Sequence, residues 1–350
     1  SSEGEKTTMK RGTRKVGFSW PAVLALCLLP VIAALVCVCL GRYTIPVRDV
    51  FSALGHKMLG LSGEASKSEA IVWSMRLPRV LLSLLVGGGL AVAGAAFQSL
   101  FSNPLATPDT LGVASGASLG AALGLLWGFP LYVVQVMALV CGFLAVTLTF
   151  LVGYRRDGAS SMTAIVLAGM VISSLFSAFV SLVKFVADSD SQLPAITYWL
   201  MGSLSSATWA TLRFGAPFLI AGIIALLALR WRLNILPLGE DEARATGVNL
   251  PLLRGITALA ATMITAASVA MCGQVAWVGL LIPHIARMMF GSDNTRLVPA
   301  SLSLGAVFMA LVDTLARSAT SSEIPISILT AVIGAPFFIQ LLRQSRGWNS

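Results

Sequence analysis

Ten stretches of this chain are apolar over lengths that leave few choices of fold: roughly residues 20–40, 80–101, 110–127, 131–152, 162–186, 211–229, 256–271, 275–290, 297–316 and 326–342. A helix needs about 17 to 25 mainly apolar residues to cross a bilayer, because in hydrocarbon it must satisfy its own backbone hydrogen bonds. The expected fold is an all-α membrane protein with ten transmembrane helices. The eighth stretch is the weakest. It is about 16 residues long and holds Pro283, His284 and Arg287, so a short or broken helix is expected there.

Composition supports the class. The chain is 56% hydrophobic and 11% charged, against about a quarter charged in soluble domains, and its mean hydropathy is +0.85. A length of 350 residues would suggest about two soluble domains, but a bundle in lipid uses it as one unit. The expected organisation is a basic tail over residues 1–19, one ten-span domain over 20–343 with a charged loop at 230–254, and a short tail over 344–350. An even number of crossings places both termini on one side. Lys6, Lys10, Arg11, Arg14 and Lys15, with Arg155, Arg156, Arg230 and Arg232, fall on that side and favour cytoplasmic termini. The net charge of +9 is read as this orientation signal, with no nucleic-acid partner implied. A basic tail before an apolar run also resembles a secretory signal. Residues 20–40 are 21 uncharged residues, long for that role, and are taken as a retained first span.

Within the spans, small residues recur every fourth position: Gly112, Gly116, Gly120 and Gly124 on the third, Ser83, Gly87, Ala91 and Ala95 on the second. Such stripes allow close helix packing. A dinucleotide-binding role would need a strand, a turn and a helix start around the glycines. No G-x-x-x-x-G-K-[ST] occurs, so any uphill work draws on energy from elsewhere. Cys27, Cys37, Cys39, Cys141 and Cys272 lie in spans without a CxxC pair and read as packing residues, with no disulfide framework. With only His56 and His284 there is no H-E-x-x-H motif, and no metal site is expected. His284, Arg287 and Asp313 read as structural polar residues. Asp313 stands four residues before Arg317, a spacing for an ion pair on one helix face near the outer end. A proton- or sodium-coupled carrier would keep an acid near the midplane, where Asp313 does not sit.

Polar groups are costly in such a chain, and two stretches concentrate them, residues 76–112 and 279–299. Residues 101–110 connect two spans on the cytoplasmic side in this reading, with Pro104 and Pro108 disfavouring helix. "GEDEARATG" (residues 239–247) reads as a short cytoplasmic helix with acids at its start and Gly247 capping its end, either a solvated linker or a lever for a partner.

Six segments, "RLPR", "GAAFQSLFSNPLATPDTLGVASGA", "YWLMGSLSSATW", "LGEDEARATGV", "GLLIPHIAR" and "EIPISILTAVIGAPFFIQLL", resemble in order the permease subunits of ABC importers for iron chelates, haem and cobalamin, over about residues 40–343. Asn294, where the family commonly has histidine, and Ser327, where it commonly has glycine, depart from the pattern. The resemblance implies a dimer, ten helices per subunit in two inverted repeats of five, two cytoplasmic ATPases and a periplasmic or lipid-anchored binding protein. It also implies a multi-pass protein of the bacterial or archaeal cytoplasmic membrane, in contact with lipid. No catalysis and no cofactor are implied on this chain, ATP and Mg belonging to the partner ATPase. By resemblance, Arg76, Arg79 and Arg317 receive acidic side chains of the binding protein. Asn103 and Leu105, with Met162 and Thr163, close the path on the cytoplasmic side; Glu240, Glu242, Ala243, Arg244 and Gly247 couple to the ATPase. Span five, residues 196–204 and span ten would line the path. The residues around "YWLMGSL" look most like ferric siderophore members, with haem, cobalamin and an oxyanion branch as alternatives. An ion-driven carrier or a membrane-embedded enzyme are the competing classes.

Overall fold

The computed structural model describes residues 20–41, 43, 45–58, 67–153, 162–238, 240–320 and 322–346; the basic tail, Arg155, Arg156 and Gly239 lie outside them. Among the described residues every regular element is helical. In order they are α1 (Trp20–Cys39), α2 (Val47–Met58), α3 (Lys67–Ile71), α4 (Leu77–Leu100), α5 (Val113–Leu126), α6 (Leu131–Gly153), α7 (Met162–Val186), α8 (Gln192–Leu200), α9 (Trp209–Leu229), α10 (Glu240–Ala245), α11 (Leu250–Cys272), α12 (Val278–Phe290), α13 (Asn294–Ser318) and α14 (Ile326–Arg346).

Seven of these are long and apolar enough to cross a membrane: α1, α6, α7, α9, α11, α13 and a continuous helical stretch Ser68–Leu100 that contains α4. Three shorter apolar helices, Val113–Leu126, Val278–Phe290 and Ile326–Gln340, fall where the third, eighth and tenth stretches were expected. The eighth is short, as its Pro, His and Arg content suggested.

The helical stretch before α4 passes through one wide π turn, Val72–Arg76. Its cause is local: Pro78 follows directly and has no N–H, while the Leu77 amide reaches back to Val72 O. Arg76 and Arg79 stand at this end, the outer one in the orientation the basic residues favour. Asn103 and α10 stand at the other.

Helix α4 is the centre of the bundle and is buried along nearly its whole length, packing on α13, α11, α12 and α9. Its glycines explain how. A side chain at Gly87 would collide with the Gly305 carbonyl of α13, and one at Gly94 with the Gly279 backbone of α12. The α5 stripe behaves likewise, Gly116 and Gly120 lying against the α6 backbone at Cys141 and Met137. Without a hydrophobic drive between helices in lipid, such close backbone approach supplies the packing. By contrast α7 leaves Leu167, Met170, Val171, Leu175, Phe179 and Leu182 exposed, and α14 leaves Ile328, Val332 and Ile339 exposed.

The connection between the second and third spans has a feature beyond the expected surface turn: it ends in a 3-10 turn, Pro108–Leu111, that packs on α7. Thr107 and Thr110 close a capping box on that turn. Gly169, seven residues into α7, must be glycine because any Cβ there would strike the Thr110 carbonyl. The physical reason the sequence hid this is that two prolines and a capping box read equally well as an ordinary surface turn.

Candidate functional site

At the outer end five charged residues and a set of carbonyls meet. Arg79 donates from Nε to both Asp313 oxygens at 3.0 and 3.1 Å and from Nη2 to Asp313 Oδ1 at 2.8 Å. The same guanidinium donates to both oxygens of Glu323, at 2.8 and 3.0 Å. Arg317 Nε lies 3.7 Å from Asp313 Oδ2, the expected ion pair one turn apart. Arg317 also donates to the Cys37 carbonyl and to Thr314 Oγ1, the latter at 3.3 Å. Arg76 donates to the carbonyls of Val38 at 2.7 Å and Cys39 at 3.1 Å, and to that of Tyr43. The Val38 and Cys39 carbonyls are at the C-terminal end of α1, where helical partners run out, and Tyr43 follows just beyond it.

The three candidate docking arginines are thus brought together, but turned inward: Arg76 and Arg317 are buried, and only Glu323 has its side chain as much as 24% accessible. Glu323 escaped the sequence reading. It stands in a loop, and only the long-range pairing with Arg79 gives it meaning.

At the inner end Arg287 Nη2 donates to Gln98 Oε1 at 2.7 Å, while its Nη1 is buried with no partner among the described residues. Ser99 donates to Asn294 at 3.1 Å, and the Asn294 amide donates to Asn234 at 2.8 Å. Asn234 in turn donates to Asp293 at 2.8 Å, whose carboxylate caps α13 through the Thr295 amide. Burial pushes the Asp293 carboxyl up, and the bonds from Thr295 and Asn234 with nearby Arg296 outweigh it, so it is held below the usual carboxylate range. A cleft of about 320 Å³ opens between this network and Asn103.

His284 is apart from these bonds, 5.8 Å from the Phe338 ring of α14. The structure therefore does not unite His284, Arg287 and Asp313: the first two are inner, the last outer. Asn103 Oδ1 accepts from the Leu105 amide at 2.9 Å and Leu105 is exposed. Thr163 is exposed at the start of α7, and the side chain of Met162 lies outside the described set, as does that of Glu240. The expected short helix is present as α10, ended by Gly247 at φ 73° with its amide on Arg244 O at 3.0 Å. Ala243 is buried while Glu242 and Arg244 project. Ser327, at the family's usual glycine, donates to Met201 O at 2.6 Å and fastens the start of α14.

Sequence and structure comparisons settle the family. The FecCD transport family matches residues 28–344. The chain belongs to it. It is 41% identical over 332 residues to the molybdate import system permease MolB of Haemophilus influenzae, covering 94% of this chain and 98% of that one. It is 36% identical to the vitamin B12 permease BtuC of Salmonella typhi, covering 97% and 99%, and 36% identical to the hemin permease HmuU of Yersinia pestis, covering 80% and 85%. A solved inward-facing metal-chelate type ABC transporter superposes with a TM-score of 0.82 at 38% identity, over 93% of this chain and 99% of that one. This FecCD member is accordingly a multi-pass inner-membrane permease of an ABC importer, a transport component rather than an enzyme. Membership in this family implies ATPase and substrate-binding partners.

Proposed function

We propose that two identical copies of this FecCD permease form the membrane path for a bulky metal chelate, a ferric siderophore in the first instance. Each copy would have ten spans in two inverted repeats with both termini cytoplasmic. The observation that carries the reading is the likeness, over 93% of the chain, to a metal-chelate type transporter. The apolar faces of α7 and α14, exposed in a single copy, are consistent with a second copy covering them.

In the proposed cycle a loaded binding protein seats on the outer end. Of the docking set Arg76, Arg79 and Arg317, Arg79 is reached first, through the partly accessible Glu323 that shares its guanidinium. Two ATPases, which carry ATP and Mg, grip α10 through Glu240, Glu242, Ala243, Arg244 and Gly247. Asn103 and Leu105 of one loop, with Met162 and Thr163 of the other, pinch the path at its inner mouth. Mostly apolar walls hold the cargo weakly and favour its release.

A second reading is specifically favoured by MolB, whose name gives molybdate and which is matched over 98% of its length. Haem and cobalamin are further alternatives through HmuU and BtuC. Liposomes holding permease, ATPase and binding protein should accumulate a ferric chelate against its gradient only with ATP, and permease alone should accumulate nothing. Uptake by the permease alone in a proton or sodium gradient would refute the importer reading; ATP-driven uptake of molybdate but no chelate would select the second.

A further inference from the structure

Two breaks in helical structure face each other inside the bundle. One is the 3-10 turn Pro108–Leu111, which brings Asp109 to a cavity that also borders Leu90, thirteen residues into the 24-residue α4. The other is the non-helical stretch 273–277 between α11 and α12. It ends in Trp277 with φ 71°, an unusual conformation for a bulky residue, closed by the Val278 amide on Ala276 O at 2.9 Å. The Trp277 ring sits over Gly334 of α14, 2.8 Å from where a Cβ would stand, and 6.0 Å from the Phe338 ring. Between the breaks lies a chamber of about 240 Å³, bordered by Thr107, Asp109, Ser115, Ser268, Gln274 and Trp277 among others.

Irregular backbone at membrane depth persists only where protein buries it or it lines an aqueous cavity. Facing helix breaks and an ionisable side chain at that depth mark the contact points of transported solutes. The chemistry of the lining says which solutes. Ser268 and Thr265 spend their hydroxyl protons on Ile264 O at 2.8 Å and Ala261 O at 2.9 Å. The Gln274 amide nitrogen donates to Ser118 Oγ at 2.7 Å. With their protons spent, the Ser268 and Thr265 hydroxyls can only accept, and Gln274 keeps its carbonyl oxygen and one N–H. The Asp109 carboxylate receives no hydrogen bond from a described residue, and no Arg or Lys borders the chamber. Peptide N–H groups of residues 274–277 bring only partial charges, so the full charge of Asp109 sets the field.

We propose that this chamber is a cation-accepting subsite of the import path, which takes a positively charged group bearing N–H donors, such as an ammonium on the chelate, and turns oxyanions away. At about 240 Å³ it holds one arm of a bulky cargo rather than the whole. The inference rests on the importer reading and narrows its cargo. One carboxylate, with no cluster of metal-ligating side chains among the described residues, is a poor cage for a bare metal ion.

The test uses the complete transporter in liposomes with Ala114→Cys, a lining position of the chamber. Two small thiol reagents, an aminoethyl (ammonium) and a sulfonatoethyl methanethiosulfonate, are compared by mass spectrometry at that residue, so the native cysteines stay. After normalisation to a free thiol, the cation should react about tenfold or more faster than the anion, the scale on which a charged cleft concentrates counter-ions. Adding Asp109→Asn should bring the ratio to about one. Equal rates with Asp109 present, no reaction of either reagent, or a ratio indifferent to Asp109→Asn would each overturn the proposal. If Asp109→Asn does not assemble, the ratio in Ala114→Cys alone decides. Failure of ATP-driven uptake in the unmodified complex would sink the importer reading instead and leave the labelling ratio standing.

Discussion

Arg79 and Arg287 bind to opposite ends of the same helix bundle and are treated in opposite ways. The outer arginine donates from all three of its nitrogens to two carboxylates, one of them 1% accessible. The inner one makes a single bond to the neutral Gln98 and keeps a buried nitrogen without a partner among the described residues. A buried charge pair is costly to break from one side, whereas a charge held by one amide is cheap to re-pair. The difference teaches where this bundle is clamped and where it is free to change partners: the outer end fixes α1, α4, α13 and the loop before α14 together, and the inner end, next to the loop that holds Asn103, is left adjustable.

The comparison breaks first at Asp313. Asp313→Ala leaves Arg79 and Arg317 facing a void and should cost ~3–5 kcal/mol of stability, read by denaturant unfolding in detergent. A loss under ~1 kcal/mol would mean that the outer end is not clamped. Glu323→Gln keeps the shape and removes one charge from a partly accessible pair, so about 1–2 kcal/mol is expected in the same assay. Asp293→Ala removes the α13 cap at the inner end and should cost ~1 kcal/mol. Since its carboxyl is held low in the folded protein, that contribution is present above about pH 4 and fades as pH falls through the folded value. A Asp293→Ala penalty unchanged at acid pH would contradict this. Arg287→Met should move stability least, within ~1 kcal/mol, because losing the Gln98 bond is offset by removing an unpaired buried nitrogen. A large loss there would erase the contrast between the two ends.

Much of this was legible in the sequence, because hydrophobic length and glycine spacing are local quantities. The ten apolar stretches each became a helix, the Gly116 and Gly120 stripe became the α5–α6 contact, and "GEDEARATG" became α10 with its glycine cap. The ion pair of Asp313 with Arg317 followed from spacing on one helix. What escaped depends on partners distant in sequence. Arg79 and Glu323 are 244 residues apart, and Arg287 and Gln98 are 189 apart. The turn at Pro108–Leu111 was hidden for another reason: a proline-rich turn has the same local pattern at a surface as inside a bundle, and only the notch at Gly169 in α7 reveals which. The helices α2 and α3 were also unread, since their mixed polarity carries no span signal.

The helical stretch Ser68–Leu100 counts 33 residues, about 50 Å at 1.5 Å per residue, more than the thickness of the hydrocarbon layer. It carries Arg79 about a third of the way along and Gln98 near its far end. Beyond the wide turn the rod is about 36 Å long, so a tilt of about 5° about that turn displaces the far tip by about 3 Å. The single wide turn just ahead of Pro78 is its natural fulcrum, so a signal arriving at the outer surface need not be relayed through loops to reach the cytoplasmic mouth.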